Sequence, residues 1–225
     1  MKKKENSPSK TKMPWPTADA MKQIYEMKLW GGNNTPFYSG DGSHDTAIVN
    51  PYIAVVISFL KSFQSPLVVC DLGCGDFNIG KQLIEHTKKY IAIDIVPDLI
   101  GHNKQQFQNE NLEFKCLDIA KDDLPKGDCA IIRQVLQHLS NVEVQGVLDK
   151  LTAYKYVILT EHIPTGKFTP NKDIISGQGI RLKKQSGLDI LAAPLRFKVK
   201  SEKELQSYYL EDGKGLIRTL LYEVL

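Results

Sequence analysis

The chain has no long apolar run and few cysteines, and each shortage excludes a class of protein. None of its apolar stretches approaches the roughly 20 residues that a membrane-spanning helix needs, so no membrane partner is predicted. The lysine-rich start continues into Lys10, Lys12 and two prolines instead of an apolar core, which argues against a secretory signal.

The cysteines and the net charge exclude further classes. Four cysteines occur in 225 residues and none forms a C-x-x-C pair, so no metal site is predicted: Cys70, Cys74, Cys116 and Cys129. Buried, reduced thiols are expected, which suggests a cytoplasmic location. The net charge of only +3 owes much to five lysines before residue 13, so nucleic-acid binding finds little global support.

The stretch from Leu67 to Gly80 organises the predicted fold. An aliphatic run ends at Asp71 and passes into Gly73 and Gly75, and a helix-like apolar pattern follows up to about residue 88. A buried strand, a glycine turn and a helix start are the elements that hold nucleotide-like ligands in doubly wound α/β folds.

Three ligands compete for this glycine turn. The NAD fingerprint needs glycine where the chain has Asn78, and the phosphate loop needs a hydroxyl where it has Gln82. The carboxylates of Asp71 and Asp76 would repel a phosphate chain. Because they suit a ligand that carries an ammonium and a sulfonium, the charge favours S-adenosylmethionine.

Asp71-Leu72-Gly73-Cys74-Gly75 resembles the D/E-x-G-x-G motif of class I S-adenosylmethionine-dependent methyltransferases. The resemblance implies an α/β, Rossmann-like sheet of seven strands in the order 3-2-1-4-5-7-6, with strand 7 antiparallel and helices on both faces. It also implies S-adenosylmethionine as the cofactor and S-adenosylhomocysteine as its product. The W-G and S-G-x-G-S segments between Trp30 and Ser43 are similar to the lead-in of uncharacterised bacterial methyltransferases, which implies that this arm covers the cofactor or the substrate.

The predicted organisation has three parts. Residues 1–17 form a disordered tail, and residues 18–63 form a helical arm with the covering loop. Residues 64–225 form the methyltransferase domain, which contains a basic insertion at residues 166–200. Alternating strands and helices up to about residue 160 argue for a parallel sheet.

The cofactor residues are expected at the ends of the predicted strands. Asp94 lies about twenty residues beyond the glycine turn, where a carboxylate meets ribose hydroxyls; capping of the next helix is the alternative. The family resemblance assigns Asp118 and Ile119 to adenine, although Asp118 could instead cap the turn that follows it. The predicted cofactor-binding residues are Trp30, Ser39, Asp71, Gly73, Cys74, Gly75, Asp94, Ile95, Asp118, Ile119, Arg133 and Gln134.

The catalytic candidates are His138 and His162, because both follow predicted strand ends and imidazole titrates near neutrality. Each could equally be a structural hydrogen-bonding residue. The predicted substrate-binding residues are Tyr38, His44, Gln137 and Arg181. Some relatives carry an Asn/Asp-Pro-Pro-Tyr motif where this chain has Arg133-Gln134-Val135-Leu136, so transfer to an amino nitrogen loses support.

The predicted acceptor is a small molecule or a sugar-type hydroxyl that reacts at oxygen. The basic insertion would suit an anionic acceptor. Two alternatives stay open: an RNA or protein methyltransferase, and a non-catalytic subunit that binds adenosylmethionine. An NAD oxidoreductase is disfavoured by Asn78.

Overall fold

The computed structural model describes residues 14–32, 34–213 and 215–225, so residues 1–13 of the predicted tail lie outside the described residues. Four α-helices are present in these ranges: α1 (Thr17–Glu26), α2 (Thr46–Lys61), α3 (Pro97–Gln106) and α4 (Asn141–Leu151). The strands are β1 (Val68–Leu72), β2 (Lys89–Asp94), β3 (Leu112–Cys116), β4 (Cys129–Arg133), β5 (Tyr156–Ile163), β6 (Val199–Tyr209) and β7 (Leu216–Val224).

The strands form one sheet in the order β3-β2-β1-β4-β5-β7-β6, which confirms the predicted order. The first five strands in this order pair in parallel, and β7 runs antiparallel to both β5 and β6. Parallel strands place their carboxyl ends at one edge, so the polar residues that follow β1, β2 and β4 gather there.

Two apolar layers cover the faces of the sheet. One face packs against α1 and α4 and against apolar side chains of the insertion, such as Leu188 and Phe197. The other face packs against α2 through side chains such as Tyr52 and Val56. Every central strand is buried on both faces, which explains the near-continuous apolar runs in the sequence.

The prediction of a helix after the glycine turn is wrong. Two short 3₁₀ turns, Gly80–Gln82 and Ile84–His86, occupy this position. Phe77 adopts a positive φ of 62° and buries its ring, and a Cβ at Gly80 would lie only 2.3 Å from that ring. The short connection to β2 therefore folds around an aromatic side chain instead of forming a regular helix.

Residues 166–198 contain one short 3₁₀ turn, Arg181–Lys184, and otherwise irregular backbone. The Asn171 side chain organises this insertion, because its Nδ2 donates to the Asp189 carbonyl and its Oδ1 accepts from the Asp189 amide. Three of the cysteines are buried as expected, but Cys116 is exposed because it ends an edge strand. None of the helices in the described ranges has the length and apolar character that a membrane span requires.

Candidate functional site

The carboxyl edge of the sheet opens into a cavity of about 430 Å³, a volume within the range of small-molecule sites. Its walls come from the glycine turn, the arm before α2, the segment after β4 and the insertion. All of the predicted cofactor-binding residues line it: Trp30, Ser39, Asp71, Gly73, Cys74, Gly75, Asp94, Ile95, Asp118, Ile119, Arg133 and Gln134.

The glycine turn needs glycine at two positions. Gly73 and Gly75 have φ values of +90° and +55°, which side-chain-bearing residues rarely adopt. A Cβ at Gly73 would lie 2.3 Å from Val135 Cγ2, and one at Gly75 would lie 2.3 Å from Ser39 Oγ. The turn therefore packs directly against both the arm and the segment after β4.

Asp94 is a buried carboxylate that supports the turn. Its Oδ2 accepts from the Gly75 amide and its Oδ1 from the Val96 amide, both at 3.1 Å. It does not cap α3, whose N-cap residue is Val96. Burial raises the pKa of Asp94 above its ordinary value. Each oxygen retains capacity for a further hydrogen bond, so this carboxylate could accept a diol.

Asp71 lies at the end of β1, one strand away from Asp94. It accepts a hydrogen bond from the Tyr90 hydroxyl at 2.9 Å. Burial raises the pKa of Asp71 to about 7; the charge of Asp94 acts in the same direction, while the Tyr90 hydrogen bond and the charge of Arg133 oppose it. A cationic ligand group at this point would favour the ionised form.

The arm is fastened to the glycine turn by a reciprocal pair of hydrogen bonds. The Ser39 amide donates to Asp76 Oδ2 and the Asp76 amide donates to Ser39 Oγ, each at 2.8 Å. His44 Nε2 lies 2.6 Å from the same Asp76 oxygen. The arm thus forms one wall of the cavity and shields it from solvent.

Tyr38 and His44 lie on the outer side of this contact. Their rings stack at 4.3 Å, and the Tyr38 hydroxyl donates to Asp41 Oδ1. Neither residue lines the cavity. The structure therefore does not place these two predicted substrate-binding residues beside the other site residues.

Arg133 connects the end of β4 to the arm. Its Nη2 donates to the Gly42 carbonyl at 2.5 Å and its Nη1 to Ser43 Oγ at 3.3 Å, and its guanidinium lies 4.8 Å from the centre of the Tyr52 ring. The next residue, Gln134, has a positive φ of 56°. This strained turn directs the following segment across the mouth of the cavity.

His138 lines the cavity but is held as a neutral ring. Its Nδ1 lies 3.1 Å from the Gly177 carbonyl, which can only accept, so Nδ1 carries the proton. The Nε2 lone pair then accepts from the side-chain amide of Gln137, whose Nε2 lies 3.3 Å away. Burial lowers the pKa of His138 to about 4, although the hydrogen bond to Gly177 opposes this effect. Both nitrogens are engaged, so the ring is poorly suited to remove a proton.

His162 does not line the cavity, and neither does its neighbour Glu161. Glu161 is buried and accepts hydrogen bonds from the amides of Leu136 and Gln137 at 3.0 and 3.1 Å. Burial raises the pKa of Glu161 to about 8. The Gln137 side chain, which lines the cavity as predicted, accepts from the His162 amide at 2.8 Å.

Arg181 is also placed away from the cavity, with only 1% of its surface exposed. Its guanidinium donates to the carbonyls of Leu136 and Leu139 and to Asn141 Oδ1, so it holds the segment before α4. The insertion reaches the cavity through other residues, namely Gln178, Ile180 and Lys183.

Asp118 performs the alternative role that the sequence left open. Its Oδ1 accepts from the Ala120 amide at 3.0 Å, and its Oδ2 accepts from Lys121 Nζ at 2.8 Å. It still lines the cavity next to the buried Ile119. A capping role and a ligand contact are therefore compatible at this position.

Sequence reasoning missed the contribution of the helices. Met21 and Tyr25 of α1 line the cavity, and neither is among the predicted site residues. Glu143 of α4 lines it as well and accepts from the hydroxyls of Thr17, Ser140 and Ser176. Burial would raise the pKa of Glu143, but these hydroxyl donors lower it below its ordinary value. The S-x-x-E pattern of a capping box was the available signal.

Comparisons with known proteins identify a methyltransferase domain within this chain. Residues 70–154 match the family model described as a methyltransferase domain. A malonyl-[acyl-carrier protein] O-methyltransferase of Acetivibrio thermocellus is 33% identical over 91 residues, which cover 39% of this chain and 31% of that protein. The alignment therefore spans about a third of the length of that curated relative.

Solved structures share the fold over most of the chain. The N-methyltransferase NodS of Bradyrhizobium japonicum WM9, crystallised with S-adenosylhomocysteine, matches with a TM-score of 0.64 at 13% identity, covering 91% of this chain and 99% of that one. The magnesium protoporphyrin IX methyltransferase ChlM of Synechocystis PCC 6803, with bound S-adenosylmethionine, matches with a TM-score of 0.57 at 16% identity, covering 96% and 100%. The chain thus has the predicted fold of class I S-adenosylmethionine-dependent methyltransferases, and its residues 70–154 match the methyltransferase domain model.

Proposed function

We propose that this protein transfers a methyl group from S-adenosylmethionine to a small-molecule acceptor. One observation carries the proposal: two buried carboxylates, Asp71 and Asp94, flank a glycine turn at the edge of a 430 Å³ cavity. Neither carboxylate forms an ion pair within the described ranges, so both suit a ligand that brings its own positive charge. The neighbours crystallised with S-adenosylmethionine or S-adenosylhomocysteine support the same cofactor.

The cavity offers a distinct environment to each part of this cofactor. Asp94 would accept the ribose hydroxyls, and Asp118 would accept the adenine amino group while Ile95 and Ile119 contact the ring. Asp71 would meet the ammonium at the amino-acid end. The aromatic side chains of Tyr25 and Trp30, whose ring centres lie 5.4 Å apart, would exclude water from this end of the cavity.

When bound, the cofactor supplies an activated methyl group: the acceptor atom bonds to the methyl carbon as the carbon–sulfur bond breaks and sulfur keeps the electron pair. The protein then has mainly to align the acceptor and exclude water. The arm fastened by Ser39 and Asp76 and the segment carrying Gln137 and His138 enclose the cavity from two sides.

The element that receives the methyl group is also part of the proposal. The relatives named above include an O-methyltransferase and an N-methyltransferase. We favour oxygen, as the sequence predicted. A sugar-type hydroxyl would need a base, and the engaged ring of His138 serves poorly. An oxygen that arrives already ionised fits this cavity better.

Calorimetric titration with S-adenosylmethionine, S-adenosylhomocysteine, NAD and ATP tests the cofactor. Binding of the first two alone is expected, and binding of NAD or ATP in their place would overturn the proposal. Transfer of a labelled methyl group into a cell extract then tests the reaction. Label should appear in the fraction that passes a small-pore filter; label retained with RNA or protein would assign a macromolecular acceptor instead.

A further inference from the structure

Three exposed apolar side chains belong to segments that meet at Glu143, a residue that lines the cavity. Trp15, Val142 and Ile175 are 61%, 79% and 70% exposed. The Glu143 carboxylate brings them together: Val142 precedes Glu143, Ile175 precedes its hydrogen-bond donor Ser176, and Trp15 lies two residues before its donor Thr17. Glu143 and Thr17 both line the cavity, whereas the three apolar residues, termed the apolar rim, are their near neighbours in the chain and do not line it themselves.

The apolar rim lies next to a positively charged part of the insertion. Lys183 lines the cavity and makes no ion pair within the described ranges. Lys172 and Lys184 flank it, and their ammonium groups donate to the backbone carbonyls of Lys184 and Asp173. The carboxylate of Asp173 accepts from the Asn141 and Ile174 amides. Three lysines against the carboxylates of Asp173 and Glu143 leave a net positive charge on this side of the mouth, which attracts an anion.

The size of the apolar rim favours a small occupant over a macromolecule. Three partly exposed side chains present on the order of 300 Å² of apolar surface. A stable protein–protein interface buries about 800 Å² on each partner. An alkyl chain of six to eight carbons needs far less surface and can lie across three side chains.

The cavity also favours an acceptor that needs no base. Both nitrogens of His138 are engaged, and three hydroxyls occupy the Glu143 carboxylate. A carboxylate oxygen is already ionised near neutral pH. It can bond to the methyl carbon while the carbon–sulfur bond breaks and sulfur keeps the electron pair, which yields a methyl ester and S-adenosylhomocysteine with no proton to remove.

We propose that the methyl acceptor is an anionic amphiphile, a small carboxylate whose alkyl chain lies across the apolar rim while its carboxylate enters the cavity beside Lys183. This inference rests on the proposed methyl transfer and specifies its acceptor class. The acceptor's two ends are thus recognised by two different surfaces, one apolar and one cationic.

Titration of the protein saturated with S-adenosylhomocysteine tests both surfaces, with butanoate, octanoate and 1-octanol as probes. Octanoate should bind about tenfold more tightly than butanoate, because partial burial of four additional methylene groups is favourable. 1-Octanol should bind more weakly than octanoate because it lacks the charge. Equal affinity for butanoate and octanoate would overturn the proposal.

Substitutions test which residues cause the dependence on chain length and which cause the preference for a charged head group. The double variant Val142→Ser/Ile175→Ser should remove most of the dependence on chain length, and Lys183→Gln should remove the preference for octanoate over 1-octanol. Tyr209→Ser is a matched control, because Tyr209 is 69% exposed on the edge strand β6 and should leave both effects unchanged. A double variant that binds S-adenosylhomocysteine and keeps the full chain-length dependence would contradict the role of the rim.

Two further outcomes separate this inference from the proposed function. Binding to phosphatidylglycerol vesicles without binding of free octanoate would assign the rim to a membrane surface and overturn the inference alone. Failure of S-adenosylhomocysteine to bind would overturn the proposed function. Octanoate titration of the unliganded protein would still report whether the rim and Lys183 recognise an amphiphile.

Discussion

Replacing Asp94 by asparagine removes one negative charge from the cavity and leaves the shape of the side chain nearly unchanged. In the wild type, Asp94 accepts from the amides of Gly75 and Val96 at 3.1 Å. The asparagine oxygen can keep one of these bonds, but the amide nitrogen cannot accept the other. Loss of one such bond costs about 1 kcal/mol. Burial raises the pKa of the Asp94 carboxyl, so removal of its charge offsets part of that cost. The variant should therefore fold.

The effect on the cofactor should be much larger than the effect on stability. Hydrogen bonds to a charged group contribute about 1.5–3 kcal/mol each, and the proposed ribose contact contains two. Substitution of a neutral amide should forfeit about 3 kcal/mol, or roughly a 100-fold increase in the Kd for S-adenosylhomocysteine.

Calorimetry on the two proteins measures this difference, and Asp98→Asn provides the matched control. Asp98 is the next aspartate in the chain; it lies 3.4 Å from Lys22 in an exposed pair that does not line the cavity. Such surface pairs contribute little, so its substitution should leave the affinity unchanged. A folded Asp94→Asn protein with a Kd within about threefold of wild type would refute the proposed ribose contact.

Three other perturbations test the support around the site. Asp76→Asn removes the charged acceptor that fastens the arm, so S-adenosylhomocysteine should dissociate about tenfold faster in stopped-flow measurements; an unchanged rate would show that the arm does not retain the ligand. Gly73→Ala should lower the free energy of unfolding by about 1–3 kcal/mol, because φ is +90° and the new Cβ would meet Val135; Gly101→Ala, which meets nothing within 4 Å, should not. Glu161 has its folded-state pKa raised to about 8, so the folded form keeps a proton that the unfolded form releases, and stability falls as the pH rises from about 4.5 to 8. In urea titrations across this window, the free energy of unfolding of the wild type should fall by up to about 1.4 kcal/mol per pH unit more steeply than that of Glu161→Gln. An equal slope in both proteins would contradict the assigned burial.

The sequence alone was sufficient for the sheet and for the acidic edge of the cavity. Aliphatic runs that end in Asp71 and Asp94 form buried parallel strands, and such strands place the residues that follow them at one edge. The glycines at 73 and 75 indicated a turn whose backbone a ligand can approach closely. These features depend on short segments whose conformation follows from local composition.

The tertiary structure decided which polar side chains reach the cavity. The sequence favoured His162, but alternation along β5 directs its neighbour Glu161 toward the segment after β4, where it accepts from Leu136 and Gln137. Arg181 looked available to a substrate, yet carbonyl groups about forty residues earlier in the chain occupy its guanidinium. Contacts between distant segments determine the direction of a side chain in an irregular insertion, and no local pattern of residues encodes them.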